Sequence, residues 1–202
     1  MSDDTGTKSD GAGKKIELQN VSQVFPGRLG TRIRAVDNVS FDLSNEPPKI
    51  ISLVGASGSG KSTIARIILG LQRPTGGSVR YGGKNIFRLS RRERDTFRRD
   101  VQPVFQDPYS IFNPFYRVDR IFFKAIKKFK LVKSKTDAIT MIERSLSVVQ
   151  LTPSEVLGRY AHQLSGGQRQ RLMLARLPLL QPSYVLADEP VSMFDAQVRK
   201  NF

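Results

Sequence analysis

Polar and apolar residues alternate through "KKIELQNVSQVF", Lys14 to Phe25, and again through "AVDNVSFDL", Ala35 to Leu43. A period of two predicts half-buried strands, separated here by a Gly/Arg-rich loop. "KIISLVG", Lys49 to Gly55, is continuously apolar, with Pro47-Pro48 before it and glycines after it. That pattern predicts a strand buried on both faces. "STIARIILGLQ" then takes helical spacing, which the Gly and Pro of "GLQRPTGG" end. "SVRYGGKNI" predicts a short hairpin, "RRERDTFRRD" a charged helix and "VQPVF" another short strand.

From Asp107 to His162 the pattern turns mostly helical, with Ile121, Phe122, Ala125, Ile126 and Phe129 on one face and lysines opposite. From Leu164 a helix leads into the apolar run Tyr184 to Ala187, which delivers the adjacent carboxylates Asp188 and Glu189. These elements predict an α/β core interrupted by a helical insertion. The polar opening "MSDDTGTKSDGAGKK" predicts a disordered tail over 1–15, ahead of a single domain over 16–202. Within it, 16–106 form the strands and first core half, 107–163 the insertion, and 164–202 the last helix and the acid-bearing strand.

Composition narrows the chemistry. The chain has no Cys, which excludes disulfides and thiolate zinc sites. No apolar run approaches the ~20 residues that cross a bilayer as a helix. Net charge is +15, and from Lys84 to Lys135 fifteen Lys/Arg face five Asp/Glu, so +10 of it sits in that segment. Such a patch meets a polyanion, an anionic membrane or only solvent.

"GASGSGKST", Gly55 to Thr63, lies between the apolar run and its helix and fits G-x-x-x-x-G-K-[ST]. Gly55, Gly58 and Gly60, with Ser57 and Ser59 between them, let backbone N–H groups turn inward around phosphate oxygens. The following helix points its positive dipole end at the same anion. Lys61 reaches the β- and γ-phosphates, and Ser62, followed by Thr63, offers a hydroxyl to Mg²⁺. Asp188, at a strand tip, approaches that metal directly or through water. Glu189 stands one residue further out, where it polarises a water for attack on the γ-phosphate.

"HQLSGGQRQRLMLAR", His162 to Arg176, resembles the signature of ATP-binding cassette ATPases. "VFQDPYSIFNP" resembles the glutamine loop of the branch that serves peptide and nickel importers, and "RAVDNVSFDL" and "ADEPVS" resemble other stretches typical of that branch. The resemblance implies a P-loop NTPase core of the RecA-like kind, with an antiparallel β subdomain at its N-terminal end. It implies ATP and Mg²⁺ as cofactors and a head-to-tail pair of such subunits enclosing two ATP molecules. Ser165, Gly166, Gly167 and Gln168 would then cap the nucleotide held by the partner. Gln106 would sense the metal and the attacking water, and Asp195 would communicate between sites. Phe25 falls where an aromatic ring stacks on adenine, though an ordinary strand residue fits that position as well. The insertion would dock on transmembrane permease subunits, placing the chain peripherally on the cytoplasmic face of the membrane. On this reading no nucleic acid is expected.

The sequence also departs from the pattern. It ends at Phe202, before a further core strand and a histidine that the resemblance implies; its one histidine, His162, precedes the signature and reads as structural. The expectation is a truncated copy that keeps MgATP binding and lacks a support for turnover. Pro178 falls where a helix should continue, Pro103 removes an N–H from a strand, and Phe194 stands in for Leu. Two alternatives stay open: an ATPase of the same superfamily acting on nucleic acid, and an inert nucleotide-binding partner of an intact sister subunit.

Overall fold

The computed structural model describes residues 14–27, 30–104 and 112–188. It divides into two units, Met1–Leu89 and Ser90–Phe202. The expected N-terminal tail falls almost wholly outside the described residues.

The first unit is built on an antiparallel sheet of order β2-β1-β3-β4. β1 (Ile16–Pro26) pairs with β2 (Arg32–Leu43) on one edge and β3 (Gly76–Tyr81) on the other. The alternation of the sequence is realised in β1, where Ile16, Leu18 and Val21 are buried while Glu17 is only partly covered. β3 turns into β4 (Lys84–Asn85) through Gly82 and Gly83, at φ 56° and 76°. Two positive-φ residues in a two-residue loop match the right-handed twist of the strands, which is why the turn is Gly-Gly. Helix α1 (Lys61–Ile68) buries Ile67 and Ile68 and is followed by Gly70 at positive φ.

One expectation fails here. Residues 49–56 form no strand, and Ile50 and Val54 are 99% and 92% exposed. A strand apolar on both faces gains its stability from neighbours on both edges and from covering helices. Without a hydrogen-bonded strand partner among the described residues, the apolar run has neither ladder nor cover.

The second unit is mostly helical. α2 (Arg91–Asp100) opens on a capping box: the Ser90 hydroxyl accepts from Glu93 N–H, and the Glu93 carboxylate accepts from Ser90 N–H at 2.9 Å. α3 (Arg120–Phe129) buries Phe122, Ala125 and Ile126, the face expected from its spacing. α4 (Lys135–Val148) buries Ile142 and Leu146, one turn apart. After the short α5 (Pro153–Val156) come α6 (Gly166–Leu174) and α7 (Arg176–Leu180). Phe122, Ile142, Leu146, Leu172 and Leu180, all fully buried, form the centre of one core.

Pro178 explains why α6 and α7 are two helices. Its ring would clash with the carbonyl four residues back, at Leu174, and the helix breaks at Ala175. Pro178 is thereby the third residue of a new helix, where the missing N–H would have no intrahelical partner anyway. Beneath these helices β5 (Val101–Val104) pairs in parallel with β6 (Tyr184–Ala187). Pro103 is tolerated because β5 has β6 as its single strand neighbour among the described residues.

Candidate nucleotide site

The loop Gly55–Gly60 leads directly into α1, and its geometry depends on glycine. Gly60, the N-cap, sits at φ 90°, and a Cβ there would collide with the carbonyl oxygen of Ala35 on β2. Only a residue without a side chain lets the loop press against the sheet in this way. A turn from Ser59 N–H to the Ala56 carbonyl, at 3.2 Å, closes the loop. The N-cap provides no side-chain acceptor, and the first turn of α1 holds no acidic residue. The leading N–H groups and the positive end of the helix dipole are therefore not neutralised by the helix's own side chains.

Lys61 arches back over this loop. Its ammonium donates to the Gly55 and Ala56 carbonyls, both at 2.8 Å. That places a cation at the loop mouth and leaves one of its three donors without a described acceptor. Ser62 is exposed on the first turn, and Thr63 follows half-buried. Residues Gly55 to Thr63 thus bring a helix N-terminus, an ammonium and a hydroxyl together on one loop. Glycine-lined space, backbone donors, an ammonium and a hydroxyl fit a nucleotide phosphate with its magnesium. Phe25 lies half-buried on β1 in the same unit, opposite Ile33 in register.

The second unit carries the signature residues. Ser165 is the N-cap of α6; its hydroxyl accepts from Gln168 N–H at 3.1 Å, and the Gln168 amide oxygen accepts from Ser165 N–H at 2.9 Å. This reciprocal pair pins the start of the helix. Ser165 and Gly167 are exposed, Gly166 is half-buried, and nothing lies within 4 Å of where a Cβ on Gly167 would stand. The helix start is an open platform of backbone N–H groups. His162, exposed, stacks on the Tyr160 ring at 5.7 Å.

Asp188 follows β6, and its N–H donates to the Val104 carbonyl at 3.0 Å, extending the parallel ladder by one rung. The carboxylate is therefore borne at the strand tip, as the apolar run before it predicts. Gln106, Glu189, Phe194 and Asp195 lie outside the described residues. Among the described residues, no group of three or more His, Cys, Asp or Glu could hold a metal ion. Of the expected metal set, Ser62 belongs to the first unit and Asp188 to the second.

Sequence reasoning missed one linkage. Buried Gln102 on β5 donates to the Arg98 carbonyl and accepts, at 3.1 Å, from the guanidinium of Arg176 at the start of α7. Burial pushes the Arg176 pKa below its ordinary value. This bond ties the strand leading toward Gln106 to the helix following the signature, across 74 positions. A polar residue inside the apolar "VQPVF" was the one available signal.

The ABC transporter family profile matches residues 36–192, more than three-quarters of the chain, spanning cradle, signature and acid pair. The chain belongs to the ABC transporter family. It is 37% identical over 186 residues to the oligopeptide transport ATP-binding protein OppF of Streptococcus mutans, covering 92% of this chain and 59% of that protein. It is 38% identical over 187 residues to OppF of Bacillus subtilis, covering 92% and 60%. The chain therefore spans about six-tenths of the length of these relatives. Among solved structures it resembles the ATP-binding cassette MJ0796, a dimer in a post-hydrolysis state bound to ADP and Pi. The TM-score is 0.78 at 28% identity, over 92% of this chain and 78% of that one. The expected α/β cassette fold is thereby established.

Proposed function

We propose that this chain is the ATP-binding and ATP-hydrolysing subunit of a membrane importer of peptides or related small solutes such as nickel. It acts as a head-to-tail dimer with a second ATP-binding subunit. The observation that carries this reading is the Gly60 cradle, pressed against Ala35 and crossed by the Lys61 ammonium. Support for peptide import comes from the similarity to the two OppF proteins, and support for pairing from the dimeric cassette.

In the proposed mechanism the Gly55–Gly60 backbone and the α1 N-terminus bind the phosphates, and Lys61 neutralises the outer two. Ser62, Gln106 and Asp188 would hold magnesium, which when bound spreads the charge of the β- and γ-phosphates. Glu189 orients water and accepts its proton. Ser165, Gly166, Gly167 and Gln168 close the site of the other subunit, so hydrolysis follows pairing. The insertion docks on transmembrane permease subunits at the cytoplasmic face. No described helix is long and apolar enough to cross a membrane.

The test is MgATP binding by calorimetry. Lys61→Ala removes the only cation at the loop mouth that the motif provides, and a loss of about 10- to 100-fold in affinity is expected, the size of one or two charge-assisted hydrogen bonds. Equal affinity in the variant and the parent would remove the assignment.

A further inference from the structure

α2 and the end of α3 enclose a groove of about 700 Å³ that the nucleotide chemistry does not use. Arg91, Arg92 and Arg99 line it from α2, Lys128 from α3 and Lys130 from the residue that caps α3, against two carboxylates, Asp95 and Asp100. Asp95 is already engaged, bridging to Lys128 at 3.4 Å and holding the two helices together. Arg91, Arg92, Arg99 and Lys130 form no ion pair with a described residue, and all four are exposed. Five cations thus converge on the groove against two carboxylates, leaving it net positive, and its lining includes Phe129.

The adjoining face of α3 adds an apolar element. Phe123, 37% exposed, stands among exposed Lys124 and Lys127, while the opposite face of the helix is buried in the core. A basic helix with an outward aromatic seats its ring at the boundary of headgroups and acyl chains, with its ammonium groups among the phosphates.

We propose that this groove, with the Phe123 face of α3, binds the phosphate headgroups of an anionic membrane surface. The choice of a membrane over a nucleic acid rests on the membrane-transport reading above and on two features of the surface. The cavity has the volume of a small-molecule site, suited to a headgroup. The exposed ring lies beside lysines, in the manner of an interfacial anchor. Binding would hold the subunit at the bilayer independently of its permease partners, and salt would weaken it.

The experiment is co-sedimentation of the purified chain, without nucleotide, with phosphatidylcholine vesicles and with vesicles also containing phosphatidylglycerol. The chain is expected to sediment with the anionic vesicles at low salt, to be released by high salt, and to ignore the zwitterionic ones. Combining Arg92→Gln, Arg99→Gln and Lys130→Gln should weaken vesicle binding by at least tenfold, given the size of the contribution of each basic residue at a charged surface. The control combines Arg32→Gln, Lys49→Gln and Arg80→Gln, three exposed cations of the first unit with the same total charge change. Its binding should stay within about threefold of the parent. Equal losses in both triples, or equal sedimentation with both vesicle types, would overturn the proposal. So would a groove triple that loses affinity for duplex DNA while keeping its affinity for vesicles. Phe123→Trp gives a readout that survives poor folding of the triple, because the chain has no other tryptophan. Its emission should shift to the blue on adding anionic vesicles, and an unchanged spectrum refutes the insertion of the ring. These measurements contain no ATP, so their failure leaves the nucleotide site standing, and failure of the Lys61→Ala test leaves the groove standing.

Discussion

At the scale of single residues, the strongest constraint is at Gly60. Two independent demands coincide there: a left-handed backbone at φ 90° and a carbonyl of the neighbouring strand where a side chain would go. Gly60→Ala must relieve a backbone collision as well as adopt a strained φ, and a loss of about 1–3 kcal/mol is expected. Urea denaturation of the purified chain measures it, and an unchanged midpoint would show that the loop does not lie against Ala35. Lys15 illustrates the opposite case. Hydrogen bonding to Asp42 and Glu17 raises its pKa, with ion-pair distances of 3.1 and 3.3 Å. A raised lysine pKa contributes stability that is complete below the unfolded value near 10.5 and fades as pH rises through the higher folded value. The pair is exposed to solvent, and nothing about it changes near neutrality.

At the scale of elements, the link between Gln102 and Arg176 joins β5 to α7. A guanidinium is costly to bury, and Gln102 gives it an acceptor while using its own amide on the Arg98 carbonyl. Gln102→Leu strands both groups and is expected to cost about 1–3 kcal/mol. In an Arg176→Met background the same change should cost less, because the buried charge is gone. A double-mutant cycle of denaturation midpoints checks this. Additive effects would mean that the two side chains do not depend on one another.

At the scale of the whole molecule, the signature presents a fixed and exposed helix start. The capping box fixes the start of α6, Ser165 and Gly167 are exposed, and the space above Gly167 is clear. On the proposed function that platform completes the site of a second subunit. Ser165→Ala should therefore leave ATP binding to the isolated chain within about twofold while costing roughly 1 kcal/mol of stability from the lost cap. ATP-dependent pairing, followed by analytical ultracentrifugation with the partner subunit, should weaken by about tenfold or more, the loss of a hydrogen bond to a charged group. Unchanged pairing would remove the capping role.

Much of this protein was legible without coordinates, and the legible parts share one property. The glycine loop before α1, the helices α2, α3 and α6, the Gly-Gly hairpin and the buried face of α3 depend on residues within a few positions of one another, so local spacing specifies them. Whatever depends on distant partners was not legible. The run at Lys49 reads as a core strand because it is apolar, yet Ile50 and Val54 are exposed, since the ladder of a parallel strand comes from segments remote in sequence. Only the tertiary structure paired Val101 with Tyr184, brought Gln102 to Arg176 and set the arginines of α2 facing the lysines of α3. Those contacts form when packing closes long loops of chain, and no window of adjacent residues contains the two halves of any of them.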